Sequence, residues 1–339
     1  MRSLSPVLLA AAALLVPAAA DAAVSPPPPT GPAPVGFERL TLTDHARTET
    51  LAVPRGGARR IPLRVWYPAA APGATPATVL TAPEQTDLEQ GNGLAPGALE
   101  GIAGTATDGA PAAPGKHPVI LLSHGGGTTT AFHAAQAGDL ASHGYIVVGI
   151  DHPGDAIAVD DGTGHLLRLD PKHDGTGLRP YRPRVADVRF VLHHLGAVRD
   201  AGTLDTTRIG AFGHSAGGSA IETAMLDEPG IDAGAAFEGS VHGEMTTRDL
   251  RRPFAYRSGR GFEDRRLGAM LQLFRRHLRG PHPLAHDHTT EHNGYTDQVW
   301  LLPQLGMDLA GAQIGTVDPA VAVTGQRRWL LRFFDRYVR

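Results

Sequence analysis

Residues 208–226 read RIGAFGHSAGGSAIETAML, and the reading of this stretch decides the fold. Ile209 to Phe212 is a short apolar run suited to a buried strand, and Ala220, Ile221 and Ala224 recur at helical packing distance. Between them lies Gly213-His214-Ser215-Ala216-Gly217, a G-x-S-x-G pattern. A strand that turns straight into a helix at a serine strains the serine backbone, and the two elements can approach only past small neighbours. The hydroxyl is then lifted above the sheet edge, beside the positive end of the helix. The bland alternative is a glycine-rich turn that happens to contain serine. The strand–turn–helix setting favours a nucleophile elbow with Ser215 at its apex.

The texture around the elbow agrees. From Lys116 onward short apolar runs alternate with helical segments: PVILLSH (118–124) and YIVVGID (145–151) suit strands buried on both faces. AAQAGDLASHG lies between them and reads as a helix ending at Gly144. RVADVRFVLHHLGAV places Val185, Val188, Val191, Leu192 and Leu195 on one helical face. AGAAFEG, RPFAYRSG and HDHTTEH are further strand candidates, and a terminal helix starts near Pro319. Upstream, ERLTLTDHART and ARRIPLRVWYPA read as β-rich, whereas residues 70–115 are an irregular excursion with room for one short helix. Such alternation specifies a mostly parallel central sheet with helices on both faces. One domain over 36–339 is expected.

The 339 residues carry a formal net charge of −3, with no basic footprint for nucleic acid. Residues 1–22 combine Arg2, the apolar run PVLLAAAALLVPAAA and small residues around AAADAA, which reads as a signal peptide and implies secretion. A Pro-rich stretch over 23–35 reads as an extended, mobile linker. There are no cysteines, so a thiol nucleophile and Cys-ligated zinc are excluded.

A serine hydroxyl needs a base, and the base needs a carboxylate to orient it; in this arrangement the chain order is serine, acid, histidine. His282, His286, His288 and His292 lie in the right region. His292 heads HNGYTD on a loop after the last strand candidate, whereas His286 and His288 alternate with Asp287 like strand residues. An H-x-H-x3-H metal site is conceivable, but no nearby carboxylate pattern supports it and neither metal nor organic cofactor is expected. For the acid, Glu238 at the end of AGAAFEG and Glu263 or Asp264 in GRGFED all stand at strand ends, and position alone leaves them open. An oxyanion hole needs backbone N–H groups. The glycine run in SHGGGTTT, around Gly126, and Ala216 after the nucleophile are the candidates. RRLGAMLQLFRRHLRG (265–280) is an amphipathic helix with Leu267, Met270, Leu271, Phe274 and Leu278 on one face. Packing on the sheet is favoured over a peripheral contact with an anionic lipid surface, or a cap over the site.

With VWYPA, PGKHPVILLSHGGG, DLASHGYIVVGIDHPGD, RVADVRFVL, DTTRIGAFGHSAGGSA, HNGYTD and IGTVDP in this order, the chain resembles the plasma-type platelet-activating factor acetylhydrolases and their bacterial secreted lipase and esterase relatives, within the α/β-hydrolase fold. The resemblance implies hydrolysis of lipid-like, short-acyl carboxylic esters, with Glu238 as the acid, His292 as the base and Gly126 as an oxyanion donor. Two departures stand out: Phe237-Glu238-Gly239 where the family commonly carries Asp, which keeps Asp264 as the alternative acid, and Glu291 before the histidine where it carries Gly. Cutinase-like polyester hydrolases resemble the middle of the chain and are the second choice, with a long-chain lipase beside them. Dienelactone hydrolases fit poorly because they use cysteine. A binding protein on a catalytically silent hydrolase fold is the reading from a different class.

Overall fold

The computed structural model describes residues 24–170, 181–198, 201–239, 241 and 243–339, so the signal-peptide expectation over 1–22 lies outside the described residues. Eleven strands are described: β1 (Val35–Thr48), β2 (Ala58–Pro68), β3 (Thr107–Asp108), β4 (His117–Ser123), β5 (Ile146–Ile150), β6 (Ala158–Asp160), β7 (Leu166–Arg168), β8 (Leu204–His214), β9 (Ala233–Phe237), β10 (Phe254–Ser258) and β11 (Leu284–His286). Seven helices join them: α1 (Ala82–Gly91), α2 (Ala134–Ser142), α3 (Tyr181–His193), α4 (Ala216–Asp227), α5 (Arg265–Arg275), α6 (Gln298–Gln304) and α7 (Pro319–Tyr337). Nine strands form one sheet in the order β11-β10-β9-β8-β4-β5-β2-β1-β3, antiparallel only where β2 meets β1 and β5. β6 and β7 pair separately as a small hairpin.

Strand alternation divides the core. Ile120, Leu122, Phe212, Ala235 and Phe237 face the layer built with α2, α6 and α7; Val119, Leu121, Ala211 and Ala236 face the layer of α3, α4 and α5. This is the α/β-hydrolase architecture expected from the sequence. From β4 the strand order runs outward in both directions, and the loops after β4 and β8 leave the sheet side by side. A crevice opens at such a switch point, at the carboxyl ends of the strands. Register aligns those ends closely: Ser123 pairs with Gly213, and Gly213 and His214 pair with Ala236 and Phe237.

Several segments differ from expectation in instructive ways. The Pro-rich stretch, expected as a mobile linker, is docked along the body from residue 24. Arg327 donates to the carbonyls of Pro27 and Pro28 at 2.8 Å each, Thr30 Oγ1 donates to Asp139, and Val24 is buried. Prolines lack an N–H but keep the carbonyl, so an arginine can read the segment without a ladder. The excursion over 70–115 is ordered around α1, whose Thr81–Glu84 capping box fixes its start, and Leu88, Leu99 and Ile102 are buried. The face of α3 that is buried carries Arg184, Asp187, Val188 and Val191, with two charges at core positions. HDHTTEH was expected as a strand, but β11 ends at His286. Its ladder partner β10 stops at Ser258, because the next amide, Gly259 N–H, donates to Glu238 instead. α5 packs on the sheet: Phe274 meets Phe254 and Tyr256 edge-on, and Phe274 and Leu278 are buried. Among the described residues no helix is long and apolar enough to cross a membrane.

Candidate active site

Ser215 stands between β8 and α4 at φ 53°, ψ −123°. This backbone is costly for a non-glycine residue and persists only where the surroundings enforce it. They do so by close approach. A Cβ on Gly213 would lie 2.3 Å from Gly217 C, and one on Gly217 would lie 2.0 Å from the Ser123 carbonyl oxygen. Both positions exclude any side chain, so strand, turn and helix close around the serine. Ser215 N–H donates to Phe237 O at 2.9 Å, which ties the elbow to the end of β9.

One residue further along β9 lies Glu238, also at positive φ (46°) and 2% exposed. Its Oε2 is 2.7 Å from His292 Nδ1, and its Oε1 accepts Gly259 N–H at 2.6 Å. The extra methylene relative to aspartate is therefore accommodated, with each carboxylate oxygen on its own donor. His292 opens a short 3-10 turn (His292–Tyr295) after β11, and its side chain is about one-third exposed. With Nδ1–H donated to Glu238, Nε2 is the nitrogen that carries the free lone pair. Position alone left three carboxylates open in the sequence; geometry separates them. Asp264 is exposed and its Oδ1 accepts the amide of Leu267 at 3.2 Å, at the start of α5. Glu263 contacts His286 and His288. His282 Nδ1 lies 2.8 Å from the Gly280 carbonyl in its own turn, and among the described residues it has no hydrogen bond to Ser215 or Glu238.

The two amides expected to serve an oxyanion belong to adjacent turns. An ideal Cβ on Gly125 would lie 3.5 Å from Ser215 Cβ, so the glycine loop after β4 abuts the elbow. Neither Gly126 N–H nor Ala216 N–H, the latter in the first turn of α4, donates to a partner among the described residues. Such a pair of uncommitted amides beside a partly exposed serine is what a developing alkoxide needs.

Sequence reasoning missed the supports. His214, fully buried, lies 2.8 Å from the His292 carbonyl through Nε2. That acceptor requires an Nε2–H tautomer, and burial, reinforced by the neighbouring His292, holds the His214 imidazole well below its ordinary pKa. Beneath the glycine loop lies a buried charged network. Arg184 donates to the His124 carbonyl and pairs with Asp155; His124 Nδ1 lies 2.6 Å from Gly125 O; and Gly127 N–H donates to Asp155 O at 2.8 Å. Arg59 grips Asp187 through two nitrogens at 2.7 and 2.6 Å. Burial would raise the Asp187 carboxyl, but Arg59 holds it below the ordinary range. Asp187 in turn contacts His152 Nδ1 at 3.0 Å, and His152 Nε2 is 2.9 Å from Ser123 Oγ. Ser123, His152 and Asp187 thus reproduce a serine–histidine–acid relay, yet all three are inaccessible. Burial, with help from Arg184, lowers His152 to about 4, and Ser123 Oγ already accepts from Arg184. This relay braces the loop and has no access to a substrate. The available signal was charge on the apolar face of α3, at 184 and 187.

Residues 19–160 match the family model described as platelet-activating factor acetylhydrolase, isoform II. The match includes the glycine loop and ends before Ser215, Glu238 and His292. A protein of Arthroderma benhamiae named "Probable 1-alkyl-2-acetylglycerophosphocholine esterase" is 33% identical over 136 residues, 39% of this chain and 34% of its own length. The chain therefore spans about a third of the curated relative it matches. Among solved structures, a ferulic acid esterase from Streptomyces cinnamoneus superimposes with a TM-score of 0.80 at 26% identity, covering 94% of each chain. A dienelactone hydrolase from Anabaena variabilis shares the fold alone, with a TM-score of 0.50 at 14% identity over 89% of this chain and 99% of its own. The resemblance to platelet-activating factor acetylhydrolases read from the sequence is met again in the first two similarities, and the fold in the last two.

Proposed function

We propose that the protein is a serine carboxylic ester hydrolase acting through Ser215, His292 and Glu238, on small or lipid-like esters with short acyl groups. The observation that carries the reading is the 2.7 Å contact between His292 Nδ1 and the buried Glu238 carboxylate, beside a serine held at positive φ. In this mechanism His292 Nε2 takes the Ser215 proton as Oγ bonds to the ester carbonyl carbon. The negative charge on the carbonyl oxygen is received by the amides of Gly126 and Ala216. As the tetrahedral intermediate collapses, the alcohol–carbon bond breaks and the alcohol leaves with the proton from His292. Water, deprotonated by the same imidazole, then cleaves the acyl-enzyme, returning the proton to Ser215. Glu238 fixes the tautomer throughout and stabilises the imidazolium. Similarity to an acetylglycerophosphocholine esterase over 136 residues supports the short-acyl preference, and export, read from residues 1–22, belongs to the same proposal.

A second reading, aromatic acyl esters, is favoured by the 94% overlap with the ferulic acid esterase. Initial rates on p-nitrophenyl acetate to palmitate and on methyl ferulate, with Ser215→Ala alongside, separate these readings. We expect a maximum at short chains and a loss of about 10⁴–10⁶ in kcat in the variant. A maximum on methyl ferulate would replace the substrate assignment, and a palmitate maximum would make the protein a lipase. Turnover that survives Ser215→Ala within tenfold, or failure of Ser215 to take a fluorophosphonate label, sinks the catalytic reading itself.

A further inference from the structure

We propose that Glu263, His286 and His288 bind one divalent transition-metal ion of the zinc class, and that the ion clamps together the two loops flanking Glu238 and His292. The binding stands on the cluster's own geometry; only its link to activity rests on the proposed triad.

The cluster is assembled by tertiary structure. Glu263 lies in a 3-10 turn (Arg260–Glu263) after β10, while His286 ends β11 and His288 follows it. Glu263 Oε1 is 3.2 Å from His288 Nδ1 and 3.5 Å from His286 Nε2, and one ligand atom from each residue lies within 4.8 Å of the others. A tetrahedral zinc with ligands at about 2.0–2.1 Å has ligand–ligand edges of about 3.3–3.4 Å. Two edges of the tetrahedron are thus already in place, and a modest rotation of the exposed His288 ring closes the third.

The orientation of the His286 ring places one nitrogen toward Glu263 and the other toward Ser258. Ser258 Oγ lies 2.9 Å from His286 Nδ1 and can accept Nδ1–H when Nε2 is bound to a metal. His286 Nε2 faces Glu263 Oε1 and is the nitrogen a metal would take. A hydrogen bond of this kind from the far ring nitrogen is the usual outer support of a metal-bound histidine. Neighbouring charges are engaged elsewhere. Asp287 turns away to Arg257 and Tyr295, and Arg260 pairs with Glu291. Two imidazoles and a carboxylate suit Zn²⁺, Co²⁺ or Ni²⁺ and are a poor set for Ca²⁺ or Mg²⁺, which prefer all-oxygen shells. The remaining coordination positions face solvent and would take water.

The clamp follows from the backbone. The turn carrying Glu263 begins at Gly259, whose amide holds Glu238 Oε1, and Arg260 N–H donates to Thr290 O, two residues before His292. An ion joining Glu263 to His286 and His288 closes this ring from the outside.

The test uses the mature protein without a polyhistidine tag, stripped with a chelator and titrated with Zn²⁺ and, for its visible absorption, Co²⁺. Expected are one equivalent bound with a Kd in the micromolar range or tighter, a tetrahedral Co²⁺ spectrum, and no competition from millimolar Ca²⁺. His288→Ala and Glu263→Gln, both exposed sites, should each weaken binding roughly tenfold or more while leaving the metal-free circular dichroism unchanged. Zinc should also raise the Tm of the wild type by several degrees, and that of His288→Ala by clearly less at the same zinc concentration. Absence of saturable binding, or equal binding by His288→Ala, overturns the site; binding without a Tm shift overturns the clamp. None of these readouts requires turnover, so they stand or fall separately from the hydrolase reading.

Discussion

A linked serine–histidine–acid relay, Ser123–His152–Asp187, and the proposed triad of Ser215, His292 and Glu238 occur in this chain, and burial distinguishes them. Ser123–His152–Asp187 is sealed in the interior, whereas Ser215 and His292 are partly open to solvent and only Glu238 is buried. Glu238 shows how one methylene can matter: its two oxygens serve His292 and Gly259 separately, from a backbone at positive φ. Glu238→Gln removes the charge that stabilises the imidazolium and places an amide opposite His292. We expect kcat on p-nitrophenyl acetate to fall by about 10⁴ with little change in Tm, by analogy with triad acids elsewhere. Asp264→Asn should leave kcat unchanged. A large loss in Asp264→Asn with a mild one in Glu238→Gln would transfer the acid to Asp264.

Helix α3 does more than cover the sheet. Through Arg184 and Asp187 it reaches beneath the loop after β4 and braces the glycine run against the elbow. Both charges are nearly inaccessible, so their desolvation is offset only while every partner stays in place. Arg184→Met leaves Asp155 buried without its cation. Urea denaturation should show a loss of about 3–5 kcal/mol, and Arg184→Met with Asp155→Leu should recover part of it. If the single variant is as stable as wild type, the network is not a brace. Helix α5 illustrates the reverse case. For its arginine-flanked apolar face the sequence favoured packing on the sheet over a lipid surface, and Phe274 is buried against the sheet.

Across the molecule, the interior holds several histidines whose burial keeps them neutral. Burial lowers His133 and His152 to about 4, and lowers His124 and His214 well below the ordinary value. Between pH 6.5 and about 4 the unfolded chain binds protons at these sites and the folded chain does not. Stability therefore rises with pH across this window and is lost on acidification. Asp297, raised to about 6 by burial, and Glu222, raised well above its ordinary value, act in the opposite sense but are fewer. Urea midpoints measured from pH 7 to pH 4.5 should fall. His133→Asn should reduce the slope by about 1 kcal/mol per pH unit at most. A flat profile, or a slope unchanged in His133→Asn, would show that His133 is protonated in the folded state.

Much of this was legible in the chain because it is written in local patterns. Short apolar runs, the elbow glycines and the Pro-led terminal helix depend on neighbours within one turn or one strand, so β4, β5, β8, α4 and α7 could be read directly. Ser215 and His292 could be singled out because their settings, a strand-to-helix turn and a loop after the last strand, are themselves local. What joins residues far apart could not be read that way. The carboxylate facing His292 is 54 residues away from it, and the buried pair Arg59–Asp187 is separated by 128. The sequence by itself determined the period of each element and the residue types available to the site. Only the tertiary structure decided which carboxylate meets which imidazole, which relay is sealed from water, and that Glu263 lies beside His286 and His288. Hydrogen bonding and desolvation act over a few ångströms in space, and those ångströms are set by strand order and register, which local composition does not encode.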